Sequence, residues 1–219
     1  MGIDLRTNFS LMKIESYVEI RDLDVMDEIS LEKIKSNLKQ VENILSNSTC
    51  VHIDRIEYRT FDEGMCDAVY FICKKSEGLN SLEAFITLVI HELHFYEEWD
   101  ILETTTTDLK NIFDIWLLPI LEKANFKKLT ELEVQEQTQW IMYSIQKLIK
   151  ESQNAKKLKY FDRWGIYHNG GKILPIESFI LPISSDLKLA LELIAEWNEV
   201  EIFYETSDEY VLFSWFTGA

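Results

Sequence analysis

Apolar residues in this chain switch repeatedly between helical and strand spacing, and that switching limits the possible folds more than any single motif does. Behind Ser30, residues Leu31, Ile34, Leu38, Val41 and Leu45 recur at the period of an amphipathic helix. Before them, LMKIESYVEI (11–20) reads as a strand. After them, CVHIDRIEYRT (50–60) and CDAVYFICK (66–74) are rich in β-formers and separated by FDEGM, where Gly64 offers positive φ for a hairpin loop. Residues 1–78 therefore read as a β-α-β-β unit.

The middle of the chain, residues 79–163, reads as helical. Asn80 with Glu83, and Thr130 with Glu133, have the spacing of capping boxes; the first opens a helix through the 90s and the second one that runs to about residue 152. Between them, DLKNIFDIWLLPILEKANF carries Pro119 in an apolar run, which predicts a kink or a division of that helix. The ETTTTD stretch at 103–108 reads as a connector.

Strand patterns return after Trp164. Asn169-Gly170 marks a turn, a Pro-bounded strand runs from Lys172 to Leu181, and Ser184, Ser185 and Asp186 introduce LKLALELIAEW (187–197), which reads as a short apolar helix. EVEIFYET and EYVLFSWF then pair across Ser207-Asp208. The fold class expected is α+β: two β-α-β-β units, residues 1–78 and 164–219, flank the central helical segment, the three packing as one domain or apart. The likeness of KIESYVEI (13–20) to PIESFILP (175–182) raises the question of a duplication.

Charge bears on function next. The chain of 219 residues holds 38 acidic against 22 basic side chains, a net charge of −16, which repels phosphate and excludes direct nucleic-acid binding. Acid dominates both ends. Residues 173–219 carry nine acids against Lys188 alone, while residues 123–172 carry ten Lys and Arg against five acids. A hydrophobic share of 47% with 7 Gly and 3 Pro describes a folded chain rather than a disordered one. MGIDLRTNFSLMKIES lacks the basic and apolar segments of a secretory signal, and no 18-residue apolar run occurs, so a cytoplasmic protein without membrane contact is expected. Cys50, Cys66 and Cys73 form no CxxC pair and are expected as reduced thiols.

Catalytic motifs are absent: no GxGxxG, GxxxxGK[ST] or GxSxG occurs. The strongest chemical motif is IHELHFYEEW (90–99). On a helix, Leu82, Phe85, Val89, Leu93 and Tyr96 form one stripe and Glu83, Thr87, His91, His94 and Glu98 another, which reads as a hydrated face. His91, His94 and Glu98 could instead converge on a divalent ion, although the His-to-His spacing of three departs from the four of the zincin signature. A second set, Cys50, His52 and Cys73, would share a hairpin face suited to zinc if His52 lay opposite Cys73. No metal and no cofactor is assigned.

In the carboxy-terminal region acids alternate with large aromatics. Glu199, Glu201, Glu205, Asp208 and Glu209 are expected to project as an acidic patch that binds a partner, with most of the rings filling the core. The function expected is that of a non-enzymatic, acidic, cytosolic inhibitor that binds and neutralises a basic protein such as a toxin or nuclease. In size, acidity and lack of catalytic motifs the chain resembles, as a class and through no specific motif, immunity proteins and phage inhibitors of defence systems. The alternatives are a metal-dependent hydrolase using His91, His94 and Glu98, and a DNA mimic that occupies a nuclease groove.

Overall fold

Both capping boxes form. In the computed structural model, which describes residues 29–37, 39–43, 56–62, 66–97, 112–154, 165–168, 173–174 and 186–218, Asn80 Oδ1 accepts from the Glu83 amide at 2.9 Å. Glu83 Oε2 accepts in return from the Asn80 amide at 3.0 Å. This opens a helix over Ser81–Glu97. The Thr130 hydroxyl and the Glu133 carboxylate make the same reciprocal pair, opening a helix over Glu131–Asn154. Each box satisfies amides that the first helical turn leaves without partners.

In chain order the elements are α1 (Leu31–Ser36), β1 (Ile56–Asp62), β2 (Cys66–Lys74), α2 (Ser81–Glu97), α3 (Leu118–Lys123), β3 (Lys127–Lys128), α4 (Glu131–Asn154), β4 (Gly165–His168), β5 (Ile173–Leu174), β6 (Leu189–Ala195), β7 (Glu199–Glu205) and β8 (Glu209–Thr217). Ser30 caps α1 by accepting from the Lys33 amide. Pro119 sits in the first turn of α3, and the preceding residues Ile112–Leu117 coil as a π-helix, so the apolar run divides at the proline as predicted.

The described strands join one antiparallel sheet in the order β3-β6-β7-β8-β2-β1-β4-β5. Strands from both ends of the chain meet at its centre, where β2 lies against β8 over nine residue pairs from Cys66↔Thr217 to Lys74↔Glu209. The fold is thus α+β, with helices on both faces. On one face Val69, Phe71, Cys73, Leu191, Leu193, Phe203 and Leu212 pack against α2. On the other Ala68, Tyr70, Ile72, Ile202, Tyr204, Val211 and Phe213 pack against Val134, Ile141 and Ile145 of α4. Strand alternation assigns these faces, because successive side chains leave the sheet in opposite directions.

Three expectations need correction. Residues 187–197 do not form a helix: Leu189–Ala195 is strand β6, paired with β7 and bulged between Glu192 and Ile194. Leu, Ala, Lys and Glu favour helix intrinsically. Yet Leu189, Leu191 and Leu193 alternate with Ala190 and Glu192, and burying both sides of that alternation between α2 and α4 overrides propensity. The second unit is consequently not β-α-β-β over its described residues. In the hairpin of β1 and β2, Cys73 lies opposite Ile56 rather than His52. The two buried thiols Cys66 and Cys73 are in no disulfide and point into opposite clusters. Finally, α2 has no hydrated stripe over its central turns. The 11–20 strand, the ETTTTD connector and the two repeated octapeptides lie outside the described residues.

The enclosure of α2 governs the layering. Every residue from Ala84 to Ile90 is at most 2% exposed, Thr87 included, and His91 is 9% exposed. A helix apolar on all sides must be enclosed on all sides. The sheet covers one side, where Phe85 meets Phe203 edge-on at 5.2 Å. Ile34 and Val41 near α1, Phe113 and Leu117 of the π-turn, and Leu121 of α3 belong to the same buried cluster. Phe126 adds a second edge-on contact to Phe85 at 6.0 Å, from a backbone held at φ 51°. Because Phe85 joins these layers, Phe85→Ala is expected to lower unfolding free energy by about 3–5 kcal/mol in urea titration. A loss below about 1 kcal/mol would show that α2 is not the buried centre.

Candidate functional site

Strand alternation does place Glu199, Glu201 and Glu205 on one face of β7, but α2 covers that face. Glu201 is 5% and Glu205 7% exposed. Glu205 lies at the amino-terminal end of α2, where Lys75 Nζ approaches its Oε1 at 2.6 Å and the Ser81 hydroxyl donates to its Oε2 at 2.7 Å. Lys75 also sits over the Tyr210 ring, 5.2 Å from its centroid, and the Tyr210 hydroxyl donates to the Leu79 carbonyl at 3.0 Å. Burial, with the Glu205 charge nearby, pushes the Tyr210 phenol up. A carboxylate buried this deeply requires such partners.

Three turns along α2, Glu92 meets Glu201. The Glu92 side chain is hydrogen-bonded to those of Glu201 and Ser214, and Ser214 is the residue directly opposite Glu201 in the pairing of β7 with β8. Glu92 keeps some exposed area, but its carboxyl is enclosed between helix and sheet. Burial pushes the Glu92 carboxyl up to about 7 against the pull of hydrogen bonds from Ser214 and Glu201. Glu201 is pushed well above the usual carboxylate range, first by burial and then by the Glu92 and Glu199 charges. The proton therefore stays on Glu201, which donates to Glu92, while Glu201 Oε1 has no hydrogen-bond partner among the described residues. Two carboxyls in contact cannot both ionise in an enclosed space, and sharing a proton is the ordinary outcome.

The sheet's other face holds a third buried acid. Glu192, 6% exposed, accepts from Gln137 of α4 and lies 3.7 Å from Lys127 Nζ. Lys127 also reaches Glu133 at 3.7 Å, so Glu192 is tied to the capped start of α4.

The five acids expected as a patch are not brought together. Asp208 is exposed and Glu209 half-buried at the β7–β8 turn, whereas half-buried Glu199 begins β7 at the opposite end, about 20 Å away at strand rise. Of the alternating aromatics, Phe203, Tyr204, Tyr210, Phe213 and Trp215 fill the core, while Trp197 is 71% and Phe216 43% exposed. These two neighbour each other at the Glu199 end: Phe216 is opposite Glu199, and the Thr217 amide donates to the Asn198 carbonyl at 2.9 Å. Exposed Glu196 precedes Trp197.

Both candidate metal sets fall largely outside the described residues. His91 is enclosed in the α2 interior, the His94 side chain and Glu98 lie outside the described residues, and so do Cys50 and His52. Among the described residues no group of three or more His, Cys, Asp or Glu side chains could hold a metal ion, and no helix is long and apolar enough to cross a membrane. No family model, curated protein or solved structure matches this chain.

The carboxyl pair gives a signed pH dependence. Unfolded, both groups ionise near 4.5; folded, Glu92 holds its proton to about 7, and burial likewise pushes the Glu201 carboxyl well above the usual carboxylate range. The folded state binds protons more tightly, so their contribution to stability is complete below about 4.5 and declines as pH rises through about 7. Glu201→Gln keeps a donor for Glu92 and removes one titration. Its chemical denaturation curve should lie about 1–3 kcal/mol above that of the parent at pH 8 and converge with it at pH 4. Parallel curves at all pH values would refute the shared proton.

Proposed function

We propose that this chain is an acidic, non-enzymatic binding protein that occupies and neutralises a basic protein partner, in the manner of a toxin or nuclease inhibitor. One observation carries the reading. Trp197 stands 71% exposed at the β6–β7 turn, beside half-exposed Phe216 and between Glu196 and Glu199. An exposed tryptophan with a neighbouring phenylalanine provides the contact that truncation studies find dominant in interfaces. Flanking carboxylates, in a chain of net charge −16, favour fast capture of a cationic surface.

Buried Glu201 and Glu205 hold α2 to the sheet, so the partner-facing charge falls to Glu196 and Glu199 at one end and Asp208 and Glu209 at the other. The Trp197 end combines charge with apolar area and is the better candidate for the contact.

Basic proteins encoded in the flanking reading frames, expressed singly, provide the test by surface-based kinetics. A complex is expected whose association slows at least about tenfold between low and physiological salt. Glu196→Lys with Glu199→Lys should slow association, and Trp197→Ala should speed dissociation by about tenfold or more. No complex with any of these proteins, or one indifferent to salt, would overturn the reading.

A further inference from the structure

A second surface, independent of the Trp197 end, lies on α4. Its inner side carries Val134, Ile141 and Ile145 into the core. On its outer side Leu132, Glu136, Trp140, Tyr143, Lys147 and Lys150 recur at intervals of three or four residues, a single stripe along the helix. Leu132 is 62%, Trp140 41% and Tyr143 68% exposed, three of the large apolar side chains that the described fold leaves in solvent. Trp140 is rigidly based, because its ring meets buried Trp215 edge-on with centroids 4.8 Å apart.

The charges along this stripe are sorted by sign. Glu136, with Glu131 beside the stripe, lies on the amino-terminal half, and Lys147 and Lys150 lie on the carboxy-terminal half, all exposed. We propose that this face is a two-fold contact between two copies of the chain, with α4 packed antiparallel against α4 of the second copy. The positions 140 and 143, and likewise 136 and 147, share one midpoint. An axis through that midpoint sets Trp140 against the second copy's Tyr143 and Glu136 against its Lys147, each twice over. Leu132 and Glu131 then fall within a turn of the second copy's Lys150.

Self-complementarity of this kind is what an isologous interface demands. Parallel packing would set Glu136 against Glu136 and Lys147 against Lys147. A purely cationic partner would meet its own charge at Lys147 and Lys150, which is why a second copy is the occupant that fits. The contact is one helix face about 30 Å long, at the small end of specific interfaces, so the dimer is weak and concentration-dependent.

Sedimentation velocity on the full chain from about 5 to about 200 µM, a range suited to weak interfaces, tests the geometry. The parent should pass from monomer to dimer, while Glu136→Lys alone and Lys147→Glu alone should each stay monomeric. The double variant E136K/K147E should dimerise again, and an equimolar mixture of the two single variants should form a heterodimer. Each substitution is at an exposed position, and far-UV circular dichroism checks that the fold is kept. A parent that stays monomeric throughout, or single variants that dimerise like the parent, would overturn the proposal. So would a double variant that stays monomeric. None of these results bears on whether a basic protein binds at Trp197.

Discussion

The helix Ser81–Glu97 has no wet side over its central turns, and the rest of the molecule is organised around enclosing it. Its run Ala84–Ile90 presents apolar groups in every direction, with only Thr87 interrupting. One sheet face can cover roughly half of such a helix. The remainder falls to α1, the π-turn and α3, whose buried residues belong to the same cluster. Those short elements have little stability of their own, since helices of six residues are marginal in water. They are held by the apolar area of α2. Among the described helices, α4 covers the sheet's opposite face; it is amphipathic and leaves its outer stripe in solvent.

A chain with a surplus of acid would be expected to keep its carboxylates outside. Among the described residues Glu192, Glu201 and Glu205 are buried instead, and each fastens a helix to the sheet by a different chemistry. Glu205 joins the start of α2 through a lysine and a serine. Glu192 joins the start of α4 through a glutamine and a more distant lysine. Glu201 joins α2 further along through the Glu92 carboxyl, beside the charge of Glu199 rather than a cation, and so it keeps its proton. The charge around β7 that stays exposed sits at the turns at both ends of the strand rather than on its face.

Local chemistry was legible in the sequence. Both capping boxes act over three residues, and Asn80, Glu83, Thr130 and Glu133 occupy the roles their spacing implies. Pro119 divides its helix for an equally local reason. What alternation along β7 could reveal was that Glu199, Glu201 and Glu205 share a face. It could not reveal what covers that face, which depends on contacts more than a hundred residues away in sequence. The signal that would have helped was AFITLVI at 84–90, too apolar for a helix with a hydrated stripe. In LKLALELIAEW helix propensity points away from β6, while the two-residue alternation of leucines points to it; alternation reports burial and propensity does not. The hairpin register differs by four residues from the one that would set His52 opposite Cys73, whose partner is Ile56.

Native-state amide hydrogen exchange tests the central place of α2 most directly. If the sheet, α1, the π-turn and α3 are all packed around it, the amides of Ala84–Ile90 should be among the slowest in the chain. They should exchange only through global unfolding, with the full denaturant dependence of that transition. Exchange of those amides through local opening, as fast as at the end of α4 and with little denaturant dependence, would contradict a buried central helix.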